Sequence, residues 1–395
     1  MAFHKCCGPG TLFDDVILDC DFDYNVDCGS RPKPGETTTT TTKEPTTTTT
    51  VATTTTTITT TSITATPPPS TTTTLISTTT TSMMTSTTSW INNYPGFPNR
   101  VLGMYILLAD NFEEGFETGA DWEPMLYPYQ QAAANVLYFT FIDPASMEVP
   151  RSFQKLAQTK GTYKEGAVPA DTLIFFAIGG YAYSQDPNPW KWLLSQEAAE
   201  EKAKEVAHWR DDYGIDGIDL DIEAGAGSHP DAGGNLLHFI RQLKSIHPDL
   251  LISQPTYGYP QIAAEIDVIN GSWMPGGAST GYADNIGIML YEGILSLDYV
   301  DNYASGSSQG EGFPISVDVP TRSILVGSRG SNSAENIEYM AMECLSRDLQ
   351  GIMVWYASVR NGLQYEPDWD ATNQTASEQA YVAARELFES GMMSD

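Results

Sequence analysis

The sequence predicts an α/β protein of the (β/α)8 TIM-barrel class, preceded by a small Cys-rich segment and a disordered Thr-rich linker. Three observations carry that prediction. Eight short apolar runs, at 101–107, 136–142, 173–178, 217–223, 250–254, 286–291, 323–327 and 351–356, follow one another through the second part of the chain. Helix-like stretches at 195–210, 235–244, 334–345 and 377–390 fall between or after them, and Gly391 is placed to end the last as a C-cap. The run 217–223 lies between two such helical stretches, as a buried parallel strand does. Strands alternating with helices close into a barrel whose reactive groups sit at the C-terminal ends of the strands.

In chain order, residues 1–34 come first, with four of the five cysteines at 6, 7, 20 and 28. Such local density predicts disulfides and an oxidising compartment. Residues 35–94 are mostly Thr with Ser, Pro67, Pro68 and Pro69, a composition that cannot bury a core and reads as an O-glycosylated, extended stalk. Both features point outside the cell, so an extracellular, secreted protein is expected. Met1 is followed by no secretory apolar stretch, and the expectation is that the chain begins within a longer protein. Asn270-Gly271-Ser272 and Asn373-Gln374-Thr375 fit the N-glycosylation pattern.

The formal net charge of −30 argues against nucleic acid or an anionic membrane as partner, because phosphate binding needs clustered Lys and Arg. No apolar run approaches the length of a membrane span. A neutral polymer remains compatible.

The third domain, 95–395, is organised around Asp216-Gly217-Ile218-Asp219-Leu220-Asp221-Ile222-Glu223. Side chains of a strand alternate, so Gly217, Asp219, Asp221 and Glu223 share one face and Ile218, Leu220 and Ile222 the other. Unpaired buried charge is expensive, so a row of carboxylates inside a protein must share protons or find donors, and such clusters mark functional sites. A solvated edge strand and a hard-cation site such as one for Mg²⁺ are the competing readings; the spacing lacks the Gly-centred loop of an EF-hand and has no nearby His.

Residues 216–223 resemble the D-G-x-D-x-D-x-E signature of family 18 glycoside hydrolases, the chitinases and their relatives. Other short motifs resemble the same family in the same order. Ala177-Ile178-Gly179-Gly180 is similar to its S-x-G-G, with Ala for the Ser that hydrogen-bonds the first buried Asp, so Asp219 is expected to lose one donor. Met289-Leu290-Tyr291-Glu292 is similar to M-x-Y-D, with Glu292 for the last Asp. Trp355 resembles the tryptophan that floors the sugar site. Gly103-Met104-Tyr105 stands where relatives carry Gly-Tyr-Tyr, and Met104 supplies no hydroxyl. Tyr257, in Gln254-Pro255-Thr256-Tyr257, is expected at a strand end facing substrate. The segment from Cys7 to Cys28 resembles the C-terminal half of the peritrophin-type chitin-binding module.

The resemblance implies a chitinase acting on β-1,4-linked N-acetylglucosamine chains by substrate-assisted, retaining hydrolysis, one of the exceptions to the two-carboxylate scheme. It implies Glu223 as acid and base, Asp221 as the group orienting the substrate acetamide, Asp219 as the group tuning Asp221, and Tyr291 as the donor to the acetamide oxygen. Gly179, Gly180, Met289, Glu292, Tyr257 and Trp355 are the expected substrate-binding residues. No metal or cofactor is expected, the partner is chitin or its oligosaccharides, and the protein is expected as a monomer. Three alternatives stand beside this: an inactive or weakly active chitin-binding, lectin-like relative; an endo-β-N-acetylglucosaminidase acting on N-glycans; and a structural mucin-like glycoprotein.

Overall fold

The computed structural model describes residues 11–14, 19–22, 96–108, 123–184, 189–223, 229–260, 262–289, 291, 297–309, 312–361 and 375–391. The chain divides into two units, 1–83 and 84–395. The first contains an antiparallel hairpin, Thr11–Asp14 with Asp19–Phe22, in which Thr11 pairs with Phe22. Cys6, Cys7 and Cys28 of the expected disulfides, and the Thr-rich linker, lie outside the described residues.

The second unit is a closed barrel of eight parallel strands, in which each pairs with its neighbours in sequence and the last with the first. The strands are β1 (Val101–Leu107), β2 (Val136–Ile142), β3 (Leu173–Gly179), β4 (Gly217–Asp221), β5 (Leu251–Thr256), β6 (Asn285–Ile288), β7 (Ile324–Arg329) and β8 (Gly351–Ala357). A helix follows each: α1 (Pro128–Ala133), α2 (Arg151–Ala157), α3 (Gln196–Tyr213), α4 (Ala232–Ile246), α5 (Ala263–Ser272), α6 (Val300–Ala304), α7 (Ala334–Ser346) and α8 (Ala376–Gly391). This is the (β/α)8 barrel that the alternation predicts.

Local chemistry sets the helix ends. The Ser195 side chain accepts the backbone N–H of Ala198 and starts α3, and Gly214, at φ +67°, stops it in a left-handed conformation that a side chain resists. Between them Ala199, Ala203, Val206 and Ala207 form one buried stripe against the barrel. The expected C-cap at Gly391 is not found, because α8 includes Gly391 as its last residue.

Two apolar layers follow from strand alternation. Ile218, Leu220 and Ile222 face outward into the layer shared with the helices, as do Leu102, Met104 and Ile106. Tyr105, Tyr138, Phe175, Leu251, Leu325 and Met353 fill the inside of the barrel. β4 ends at Asp221, two residues before the apolar-acidic pattern does. The cause lies on β3: Gly179 and Gly180, at φ +107° and +80°, bend it away just where its pairing with β4 finishes, at Gly179 opposite Asp221. β6 stops at Ile288, so Tyr291 stands beyond the strand that the sequence extends through it.

The Asn270 sequon lies in α5, and its side chain is already engaged. Its amide nitrogen donates to Pro314 O at 3.2 Å and its oxygen accepts the Ser316 N–H at 2.7 Å, which staples α5 to the 314–316 segment. Asn373 lies outside the described residues.

Candidate active site

The site is built on the inward face of β4. Asp219 is 0 % exposed and Asp221 4 %, side by side in the barrel, and Glu223 follows just past the strand end, half-buried. Burial pushes the Asp219 carboxyl up to about 8, although hydroxyl donors from Ser253 and Tyr105 pull the other way. Asp221 is raised well above the carboxylate range by burial first, then by the charges of Glu223, Asp219 and Glu265. Burial also raises Glu223, opposed by donation from the Tyr257 hydroxyl and the Tyr181 backbone. Three neighbouring acids taken out of water cannot all ionise, so the cluster retains protons at neutral pH.

Register explains how Asp219 is supported. In its layer Asp219 lies between Ala177 of β3 and Ser253 of β5. Ala177 offers no donor, as its motif suggests, but the hydroxyl reaches Asp219 from the opposite side through Ser253. A second comes from β1, where Tyr105 Oη lies 3.3 Å from both carboxyl oxygens of Asp219. The donor missing at Ala177 is thus absent as expected, and Asp219 draws on Ser253 and Tyr105 instead. Met104, which supplies no hydroxyl, faces outward into the helix layer, fully buried and away from the acidic cluster. Tyr138 stacks on Tyr105 with ring centroids 4.4 Å apart and braces it from beneath.

Gly179 and Gly180 permit the close approach of β3 to β4. Gly180 N donates to Asp221 O at 2.8 Å, and a Cβ on Gly179 would fall 2.2 Å from that same oxygen. A Cβ on Gly180 would strike the Phe141 ring at 2.7 Å. A side chain on Gly179 would press on the Asp221 backbone, and one on Gly180 on the Phe141 ring.

Above the acids lies an aromatic wall. Trp355, from β8, stands 6.3 Å from Tyr291 with near-parallel rings, 5.5 Å from Phe141 and 5.9 Å, edge-on, from Tyr105. The Tyr291 hydroxyl is raised well above its usual range by burial and by the charges of Asp221, Glu223 and Asp219, which puts it in the field of the whole acidic row. Met289 is 8 % exposed and packs inside the barrel. Glu292 lies outside the described residues. Tyr257 directs its hydroxyl at the acid itself, with Oη 2.7 Å from Glu223 Oε2. Asp221 Oδ1 is buried without a hydrogen-bond partner among the described residues.

No family model matches the chain, and no curated protein matches it. Solved structures do. A chitinase from Rhizomucor miehei aligns at 13 % identity with a TM-score of 0.49, over 72 % of this chain and 100 % of that one. A family 18 chitinase from the chitin utilization locus of Flavobacterium johnsoniae aligns at 12 % and 0.49, over 72 % and 94 %. A chitinase-like agglutinin from Robinia pseudoacacia aligns at 14 % and 0.46, over 72 % and 99 %. The barrel assignment itself rests on the closed eight-strand sheet.

The structure thus gathers Asp219, Asp221, Glu223, Tyr257, Tyr291 and Trp355 at one end of the barrel. It adds three residues to which the sequence assigned no role: Tyr105, Ser253 and, behind Tyr257, Glu265. The first two were within reach of strand alternation, since Gly103 facing inward requires Tyr105 to do so, and register sets Ser253 beside Asp219. Glu265, in the first turn of α5, carries no such signal. Among the described residues no group of three or more His, Cys, Asp or Glu side chains is arranged to hold a metal ion.

Proposed function

We propose that the barrel is a chitinase-like glycoside hydrolase that cleaves β-1,4-linked N-acetylglucosamine chains by substrate-assisted, retaining hydrolysis. The observation that carries this reading is the placement of Glu223. Its carboxyl lies beside a buried aspartate pair at the barrel mouth, is raised above the ordinary glutamate range, and sits under an aromatic wall suited to a sugar face. A general acid must keep its proton near neutral pH, and burial among carboxyls provides that condition.

In this mechanism Glu223 protonates the glycosidic oxygen as the carbonyl oxygen of the substrate's own 2-acetamido group attacks the anomeric carbon. The C–O bond to the leaving sugar breaks and an oxazolinium ion forms, so the protein supplies no covalent nucleophile. The unpartnered Asp221 Oδ1 accepts the acetamide N–H and balances the positive charge. Tyr291 donates to the acetamide oxygen, and Trp355 floors the ring. Glu223, now ionised, takes a proton from water as it opens the oxazolinium at the anomeric carbon. The two displacements together retain configuration. Asp219, held by Ser253 and Tyr105, sets the charge that Asp221 feels.

The same reading makes chitin oligosaccharides the partner and the protein an extracellular monomer, with residues 1–34 as a partial chitin-binding module. Replacing Glu223 with Gln, which keeps shape and removes the acid, tests it. Hydrolysis of N-acetylglucosamine oligomers is expected to fall by at least about 10²-fold with KM little changed. Near wild-type turnover in Glu223→Gln removes Glu223 as the acid and the proposal with it.

A further inference from the structure

Glu265 is a buried carboxyl that the mechanism above does not use. It is 1 % exposed, in the first turn of α5, and it lies behind Tyr257, the residue whose hydroxyl meets Glu223. Its Oε1 takes the backbone N–H of Tyr257 at 3.0 Å and touches the Thr256 hydroxyl. The Thr256 hydroxyl is also 2.8 Å from Tyr303 Oη, and Tyr303 Oη in turn touches the carbonyl oxygen of Tyr257. The peptide groups of Tyr257 are therefore held on both sides, at N–H by Glu265 and at C=O by Tyr303.

The hydrogens in this chain can be counted. It has three close oxygen–oxygen contacts: Glu265 to Thr256, Thr256 to Tyr303, and Tyr303 to the Tyr257 carbonyl. Each contact needs one hydrogen, but two hydroxyls supply only two, and a carbonyl supplies none. Thr256 has a further, longer contact with the Tyr257 carbonyl at 3.4 Å, which only deepens the shortfall. An ionised Glu265 leaves one buried oxygen pair without a proton, and lone pairs facing each other out of water are costly.

We propose that Glu265 is a protonated positioning residue, whose O–H heads a one-way relay of donors through Thr256 and Tyr303 to the Tyr257 carbonyl and so fixes the aim of the Tyr257 hydroxyl at Glu223. With that proton on Oε1, the relay reads Glu265 to Thr256, Thr256 to Tyr303, Tyr303 to Tyr257 O, and every contact has its hydrogen. The second lone pair of Oε1 still accepts the Tyr257 N–H.

The groups facing Glu265 weigh on both sides. The N–H groups of Tyr257 and Ile262, and its place in the first turn of a helix, favour the anion; burial and the Glu223 charge favour the acid and prevail, raising its carboxyl to about 8. Asp221, Tyr257 and Tyr303 all lie within its field, so a charge on Glu265 would be felt across the site.

This inference rests on Glu223 as the acid for its functional part and on hydrogen counting alone for its chemical part, so two readouts separate them. The infrared difference spectrum between the full-length wild type and Glu265→Gln at pH 7 is expected to lose a protonated-carboxyl band; loss of a carboxylate band instead overturns the relay, whether or not the protein turns over chitin. On N-acetylglucosamine oligomers, Glu265→Gln cannot both donate and accept at the position of Oε1, and Tyr303→Phe removes the last donor while leaving the carboxyl in place. Each is expected to lower kcat about tenfold or more with KM within about twofold, as misaiming a catalytic group does. Unchanged kcat in both variants overturns the positioning role. Should Glu265→Gln fail to fold, Tyr303→Phe still decides: it is expected to displace the protonated-carboxyl band, and a spectrum identical to wild type in that region contradicts the relay.

Discussion

Asp219 has one neighbour on each side within its layer of the barrel, Ala177 on β3 and Ser253 on β5. A buried carboxyl without donors costs several kcal/mol or forfeits its charge altogether, so a hydroxyl must reach it from one side or the other. In this chain it comes from β5. Ser253→Ala is expected to leave Tyr105 as the remaining side-chain donor, raise Asp219 further above its already elevated range, and lower kcat by about tenfold, the scale of one hydrogen bond to an ionisable group. Adding Ala177→Ser to that variant returns a hydroxyl from the opposite neighbour and is expected to recover most of the loss in kcat on N-acetylglucosamine oligomers. A double variant as impaired as the single one would show that Ser253 matters for something other than its hydroxyl on Asp219.

At the scale of elements, what the sequence makes visible is what periodicity encodes. The runs at 101–107 and 136–142 are the observed β1 and β2 to the residue, because nearly every residue on both faces of these strands is buried. Strand ends set by long-range geometry are less legible: β4 stops at Asp221 because the glycines of β3 turn away, and nothing in residues 222–223 announces it. Motif likeness also misleads where parity would not. It drew attention to Met104, which faces the helices, and away from Tyr105, which holds Asp219. α5 is short and weakly amphipathic, and an acid in a helix's first turn ordinarily reads as a solvated one. Glu265 bonds Thr256 and, through it, reaches Tyr303, which is 38 positions further along, so no local pattern could reveal its role.

For the whole molecule, the buried acids leave a mark on stability. Asp219 and Glu265 are each pushed to about 8 by burial, far above the range of an unfolded carboxyl. Because the folded values lie above the unfolded ones, the stability these protons contribute is complete below about pH 4 and drains away as pH rises toward about 8, at about 1.4 kcal/mol per pH unit for each group. The net charge of −30, more fully developed at higher pH, works in the same direction. Denaturant unfolding is therefore expected to give greater stability at pH 5 than at pH 8, with the slope reduced in a variant carrying Asp219→Asn and Glu265→Gln; stability that rises from pH 5 to pH 8 contradicts the protonated cluster. Under the proposed function, the barrel, its acidic row and its aromatic wall serve one chemical event, the closing of a sugar's own acetamide onto its ring carbon. Proton NMR of N-acetylglucosamine oligomers during the first turnovers reads that event directly. The newly formed reducing ends are expected as the β anomer, relaxing afterwards to the equilibrium mixture, whereas α anomer appearing first would contradict the mechanism.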